Sequence, residues 1–335
     1  MRRATSPELK LPITRRSLLA TGLVAASAAA SGRFRLALAA EPSVGVVATT
    51  GMIADAARQI GGDRVEVRAL MGPGVDPHSY RQTRTDILAM TRADIVLWHG
   101  LYLEAQMEAF LTELGGKRRV VAVAEQLPRE ALIHHDSYAD KFDPHVWMDP
   151  GLWSGVVAAV RDALVDLRPE SADFFGANAE AHLAEVAALD EYVATITASI
   201  APDRRVLVTA HDAFKYFGAA NDFEVMGIQG ISTESEAGLS RIAELVDVLV
   251  ERDIGAVFVE SSVSDRNVRA LIEGAAARGH EVSIGGQLYS DAMGPEGSYE
   301  GTYLGMIDHN ATLIARALGG DAPERGMQGL LAAGT

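Results

Sequence analysis

From Ser43 onward the chain alternates two hydrophobic periods. Short runs rich in β-branched residues, Val44–Thr49, Arg64–Leu70, Asp94–Trp98 and Arg119–Val123, read as strands. Between them, apolar residues three and four apart mark helices over Met52–Ile60, Thr83–Ala93 and Leu103–Leu114. A helix over Gly151–Leu167 follows. Pro169 then opens a longer pattern, Glu170–Ile200, closed by Pro202, in which Ala177, Leu183, Val186, Leu189, Val193 and Ile196 keep helical spacing. At about 1.5 Å per residue such a helix spans about 45 Å, more than one small domain requires. The alternation then starts again, with strands Arg205–Thr209, Glu224–Gly227, Ala256–Val259 and Glu281–Ile284. Their helices are Ala213–Ala220, Leu239–Arg252, Asp265–Arg278 and Tyr299–Leu318.

Strands alternating with helices imply right-handed βαβ units around a parallel sheet. The pattern therefore predicts an α/β protein of two parallel-sheet lobes, residues 41–168 and 202–335, joined by one long linking helix over residues 169–201. A coiled-coil partner is the other use for so long a helix; a link between lobes is simpler.

Residues 1–40 break the pattern. Thr14-Arg15-Arg16-Ser17-Leu18-Leu19 precedes an apolar run to Ala30, and Ala37-Leu38-Ala39-Ala40 offers a small-residue cleavage site before Glu41. This reads as a cleaved export signal, too short for a spanning helix. The paired arginines resemble a twin-arginine signal, with an ordinary export signal as the alternative. A periplasmic mature chain is expected. It contains no cysteine, which rules out disulfides and thiolate ligands and leaves no residue for a lipid anchor. The formal net charge is −15, and the basic leader makes the remainder more acidic still. Nucleic acid and anionic lipid are therefore poor partners.

Against this background one tripeptide stands out because it occurs twice: Asp76-Pro77-His78 and Asp143-Pro144-His145. Proline fixes its own φ and biases the aspartate before it towards extended backbone, so each imidazole follows a stiff, non-helical bend. In parallel sheets, ligands gather beyond the carboxyl ends of strands. His78, His211 and Asp291 all follow predicted strands, as does His99. The two histidines on these bends could share one metal ion if the fold brings their loops together. The remaining histidines have plainer readings: His182 and His280 as solvated, His309 as packing or surface, with Trp147 and Tyr289 packing near the site.

Met71–Tyr80, Asp143–Asp149, Thr209–Phe217, Gly227–Ala237, Phe258–Ser262 and Gly285–Gly294, in that order, resemble the TroA-like solute-binding proteins of manganese/zinc ABC transporters. The resemblance covers nearly the whole mature chain. It implies two α/β lobes joined by a long helix, with the metal in the cleft between them. Its four metal positions fall on His78 and His145 from the first lobe and on His211 and Asp291 from the second; some relatives carry glutamate at the third. It further implies one Mn²⁺ or Zn²⁺ per chain as transported ligand, delivered by a monomer to an ABC permease in the inner membrane, and no enzymatic activity. Dedicated zinc importers often carry a long histidine-rich acidic loop, whereas residues 125–142 contain only His134 and His135. With Gln229–Glu234, which looks like the manganese/zinc branch, this favours manganese transport with zinc also bound.

A ligand histidine needs its second ring nitrogen oriented by an acceptor. Asp76, Asp143, Asp212 and Glu260 are the candidates, Glu260 foremost. Two other functions share this chemistry. A secreted zinc hydrolase needs an open metal position, for which four protein ligands leave little room, and no HExxH motif is present. A metal-binding adhesin or buffer is the other.

Overall fold

The computed structural model describes residues 43–135, 138 and 140–332, so the export segment predicted over residues 1–40 lies outside the described residues. The first lobe holds strands β1 (Val44–Ala48), β2 (Val65–Ala69), β3 (Ile95–Trp98) and β4 (Val120–Ala122) with helices α1 (Gly51–Gly61), α2 (Arg84–Arg92) and α3 (Glu108–Gly115). Its four strands form an all-parallel sheet in the order β2-β1-β3-β4. The central strands β1 and β3 are buried on both faces, which is why they read as continuous apolar runs. Thr83 and Asp86 close a reciprocal capping box at the start of α2.

Helix α3 starts five residues later than the hydrophobic spacing predicts. Gly100, Leu101 and Tyr102 all have positive φ, at 82°, 52° and 71°. Such a run cannot enter a right-handed helix, and two of its members carry a Cβ that disfavours it. The buried Glu104 carboxylate holds it by accepting from the backbone of His99 (2.8 Å) and Gly100 (3.1 Å).

Asp149 caps helix α4 (Pro150–Leu167), with proline in the first turn. The linking helix α5 (Ala172–Ala198) has 27 residues and so a length of about 40 Å. Its buried seam is Phe175, Ala179, His182, Val186, Leu189, Val193 and Ile196, an alternation of four- and three-residue steps. Two expectations are corrected here. Ala177 is exposed, two residues from Phe175 and Ala179 and so on the opposite face, and His182 occupies a core position rather than a solvated one.

The second lobe runs β5 (Val206–Thr209), α6 (Lys215–Asn221), β6 (Glu224–Gly227), α7 (Leu239–Glu251), β7 (Ala256–Glu260), α8 (Arg266–Ala277), β8 (Ser283–Leu288) and α9 (Tyr303–Ala317). Among the described residues its strands form two parallel ribbons, β5-β6 and β7-β8, with β5 lying beside β7. At Gly286, φ is +147° and an added Cβ would fall 2.5 Å from Leu313, so only glycine lets α9 pack this closely on β8. Helix α9 starts at Tyr303, not Tyr299, because Thr302 is extended and caps it through Gly305 N. His280 is half-buried, not solvated, with Nε2 2.8 Å from Ile254 O.

One apolar core runs from β1 and β3 through α1, α4 and α5 to α9. Helix α5 packs on α1 and α4 of the first lobe and on α9 and α6 of the second. A second junction joins the lobes as well. The Trp153 and Tyr303 rings stack at 5.1 Å, and Tyr303 N donates to Asp55 Oδ2 at 2.9 Å.

Candidate metal centre

The two Asp-Pro-His tripeptides fold alike. In each, aspartate Oδ1 accepts from the backbone N–H of the histidine, at 2.8 Å for Asp76 and His78 and at 2.9 Å for Asp143 and His145. This is local turn chemistry, available because proline keeps the segment out of a helix. His78 lies in the loop after β2, and His145 in the bend before α4. His211 follows β5 directly, and its N–H donates to Glu260 Oε1 at the end of β7 (2.8 Å). Asp291 follows β8.

Tertiary structure brings these four side chains to one point. One ligand atom from each of His78, His145, His211 and Asp291 lies within 4.8 Å of the others, and all four residues are buried. Three separations are tighter: His78 Nε2 to His145 Nε2 is 3.3 Å, His145 Nε2 to Asp291 Oδ1 is 3.4 Å, and His211 Nε2 to Asp291 Oδ2 is 3.3 Å. Donor atoms about 2.0–2.1 Å from a tetrahedral ion stand about 3.3–3.4 Å apart. His211 Nε2 and Asp291 Oδ1 are buried without a hydrogen bond, a need that a cation at this point would meet. Because each Asp291 oxygen faces a different histidine, a fifth contact is also within reach.

Behind the ligand nitrogens stand two carboxylates. Asp143 Oδ1 accepts from His145 Nδ1 at 2.7 Å, and Glu260 Oε2 accepts from His211 Nδ1. Asp76 and Asp212 do not orient a ring: Asp76 holds the His78 backbone, and Asp212 pairs with Lys215 at 2.9 Å.

Burial opposes charge throughout the group. It prevails at His78, whose pKa falls to about 4 in spite of Asp291. At His145 it is outweighed by Asp143 and Asp291, which raise the pKa to about 9. Asp291 and Glu260 likewise raise His211 well above its ordinary value against burial. Asp291, also buried, is held well below the carboxylate range by His211 and His145.

His99 stays outside the ligand group; its Nε2 meets Pro144 O at 2.7 Å. His309 is buried against Tyr289 and bonds Gln287 O (2.9 Å), a packing role as expected. Trp147 packs against His145 and sends Nε1 to Ser290 O (2.8 Å), next to Asp291. Two contacts across the cleft carry no signal in the sequence. Thr233 Oγ1 donates to Asp76 Oδ2 (2.6 Å), and Tyr216 Oη donates to Asp143 O (2.9 Å). Their partners are too distant along the chain for spacing to reveal them.

Residues 46–317 match the family model described as ZnuA, zinc-uptake complex component A, periplasmic. The chain is 48% identical over 279 residues to the manganese-binding lipoprotein MntA of Bacillus subtilis (strain 168), covering 83% of this chain and 91% of that protein. It is 46% identical over 273 residues to the zinc-binding protein TroA of Treponema pallidum (strain Nichols), covering 82% and 88%. It is 30% identical over 274 residues to the iron-binding protein YfeA of Yersinia pestis, covering 82% and 86%. The solved structure of the periplasmic zinc-binding protein TroA superimposes with a TM-score of 0.79 over 82% of this chain and 99% of that one.

Proposed function

The chain belongs to the ZnuA family of periplasmic metal-uptake components, and on that premise we propose that it captures one divalent transition-metal ion in the periplasm and delivers it to an ABC-importer permease. The family is one of binding proteins for transport, not of enzymes. His78, His145 and His211 ligate through Nε2 and Asp291 through its carboxylate, in the cleft between lobes 41–168 and 202–335. The observation that carries this reading is the convergence of four buried side chains, one donor atom of each within 4.8 Å of the others and three separations of 3.3–3.4 Å among them. Also part of the proposal are a monomeric state, export by the twin-arginine route and release without a lipid anchor. Relatives such as MntA are described as lipoproteins, but this sequence has no cysteine to acylate.

Stripped of metal and titrated, the protein should bind one ion tightly, and His78→Ala, His145→Ala, His211→Ala and Asp291→Ala should each weaken it. Parent-like affinity in all four variants would sink the assignment. Manganese is the cargo we favour, yet nitrogen and oxygen donors hold Zn²⁺ more tightly than Mn²⁺ whatever the physiological ion. Competitive titration should therefore rank zinc first even if uptake by cells carrying the gene depends on manganese. Tighter manganese binding would refute the affinity argument, and loss of zinc uptake alone on deletion would refute manganese as cargo.

A further inference from the structure

The bend that carries His145 is held by its carbonyls. Three side chains from three separate elements donate to it: Tyr216 Oη of α6 to Asp143 O at 2.9 Å, His99 Nε2 beyond β3 to Pro144 O at 2.7 Å, and Tyr303 Oη of α9 to Trp147 O at 3.0 Å. A carbonyl only accepts, so Nε2 of His99 carries the proton. Pro144 O also accepts from Val146 N at 2.7 Å, closing a three-residue turn with His145 at its centre. His145 has φ −76° and ψ 40°, close to an inverse γ-turn. His99 therefore grips the one carbonyl on which the turn around this ligand closes.

His99 is itself fixed on every side. Its N–H donates to Glu104 Oε1 (2.8 Å), its carbonyl accepts from Ala124 N (3.0 Å), and its side chain is buried. Its ring stands edge-on to Trp147 (5.0 Å, 87°), whose ring in turn stands against His145 (5.2 Å, 67°). Rotation of the Pro144 carbonyl would turn the peptide that leads into His145 and move Nε2 away from the other three ligands.

We propose that His99 is a positioning residue for the metal ion: its Nε2–H holds the Pro144 carbonyl and so aims His145 at the site. This rests on the metal-binding reading above. A residue that only fills space beside Trp147 would need volume and no proton, and two variants separate these roles. H99Q keeps an N–H donor, whereas H99F fills the space without one. Titrated with Mn²⁺, H99F should lose roughly 10–100-fold in affinity, the range for groups that orient a metal ligand, while H99Q stays closer to the parent. The visible absorption of the Co²⁺-loaded protein should shift in H99F and return towards the parent's in H99Q, because it reports ligand geometry. If H99F fails to fold, H99M supplies the same comparison. Equal affinities and unchanged Co²⁺ spectra in the donor and donor-less variants overturn the role of His99 alone. A parent that takes up neither Mn²⁺ nor Co²⁺ overturns the metal reading, and this one with it.

Discussion

Asp143 and Glu260 each bond both the backbone N–H and the Nδ1 of a ligand histidine, so ring orientation and chain position are set by the same carboxylate. Their charge also makes the imidazole a better donor. Asp143→Asn and Glu260→Gln keep the shape and remove the charge, and each should weaken metal binding roughly 10–100-fold in a chelator competition. Parent-like affinity in both would mean that packing alone orients the rings. The pH dependence follows from the same groups. In the protein by itself Asp143 and Asp291 raise His145 to about 9, and His211 is raised as well, whereas His78 falls to about 4. At neutral pH an arriving ion must displace protons from His145 and His211 but none from His78. Calorimetry at pH 7 in buffers of different ionisation heat should show about two protons released per ion; no release would refute the pattern. Affinity should rise with pH as His145 loses its proton at about 9, and further as His211, also raised, loses its own. The sign reverses for stability without metal. A raised histidine stabilises fully below its unfolded pKa of about 6.5, and that contribution is lost as pH climbs through about 9.

At the scale of elements, α5 does most to define the architecture. Its seam residues are spaced so that one face packs on α1 and α4 of the first lobe and on α9 and α6 of the second. Phe175 is wholly buried in that seam, and Phe175→Ala should cost about 3–5 kcal/mol of stability. A urea unfolding midpoint within error of the parent's would show that the helix end is dispensable. Helices α4, α7 and α8 lie within one or two residues of the span their hydrophobic spacing predicts. Helices α3 and α9 start late because a turn held from outside the helix precedes each: the left-handed run at Gly100–Tyr102 under Glu104, and the Tyr299–Thr302 turn. Periodicity reports which face of a segment is apolar, so it continues through turns whose residues are buried for another reason.

For the whole molecule, the proposed ligands come in equal number from the two lobes, so an ion bound by them would stabilise both together. With free ion at about a thousand times Kd, the linkage amounts to about 4 kcal/mol. The melting temperature should rise with added Zn²⁺ or Mn²⁺, and Asp291→Ala should abolish the rise. An equal shift in that variant would place the stabilising ion elsewhere. The core that continues from β1 to α9 and the Trp153–Tyr303 stack also join the lobes. The lobes are thus held by more than the single helix their sequence implies.

What the sequence by itself determined is local or periodic: the alternation of strand and helix, the long helix between two such series, the repeated Asp-Pro-His bends and the placing of His78, His211 and Asp291 after strands. Each of these depends on neighbours a few residues away. Tertiary structure alone decided which carboxylate faces which ring. Among Asp76, Asp143, Asp212 and Glu260 the sequence offers four equivalent acids, and only the packed chain turns two of them onto imidazoles and sends Asp212 to Lys215. It also buried His182, where helical spacing left a polar residue on an apolar seam, and it laid His99 against Pro144. Such contacts join residues far apart in the chain, and their geometry is set by how whole elements pack, which no short window of sequence contains.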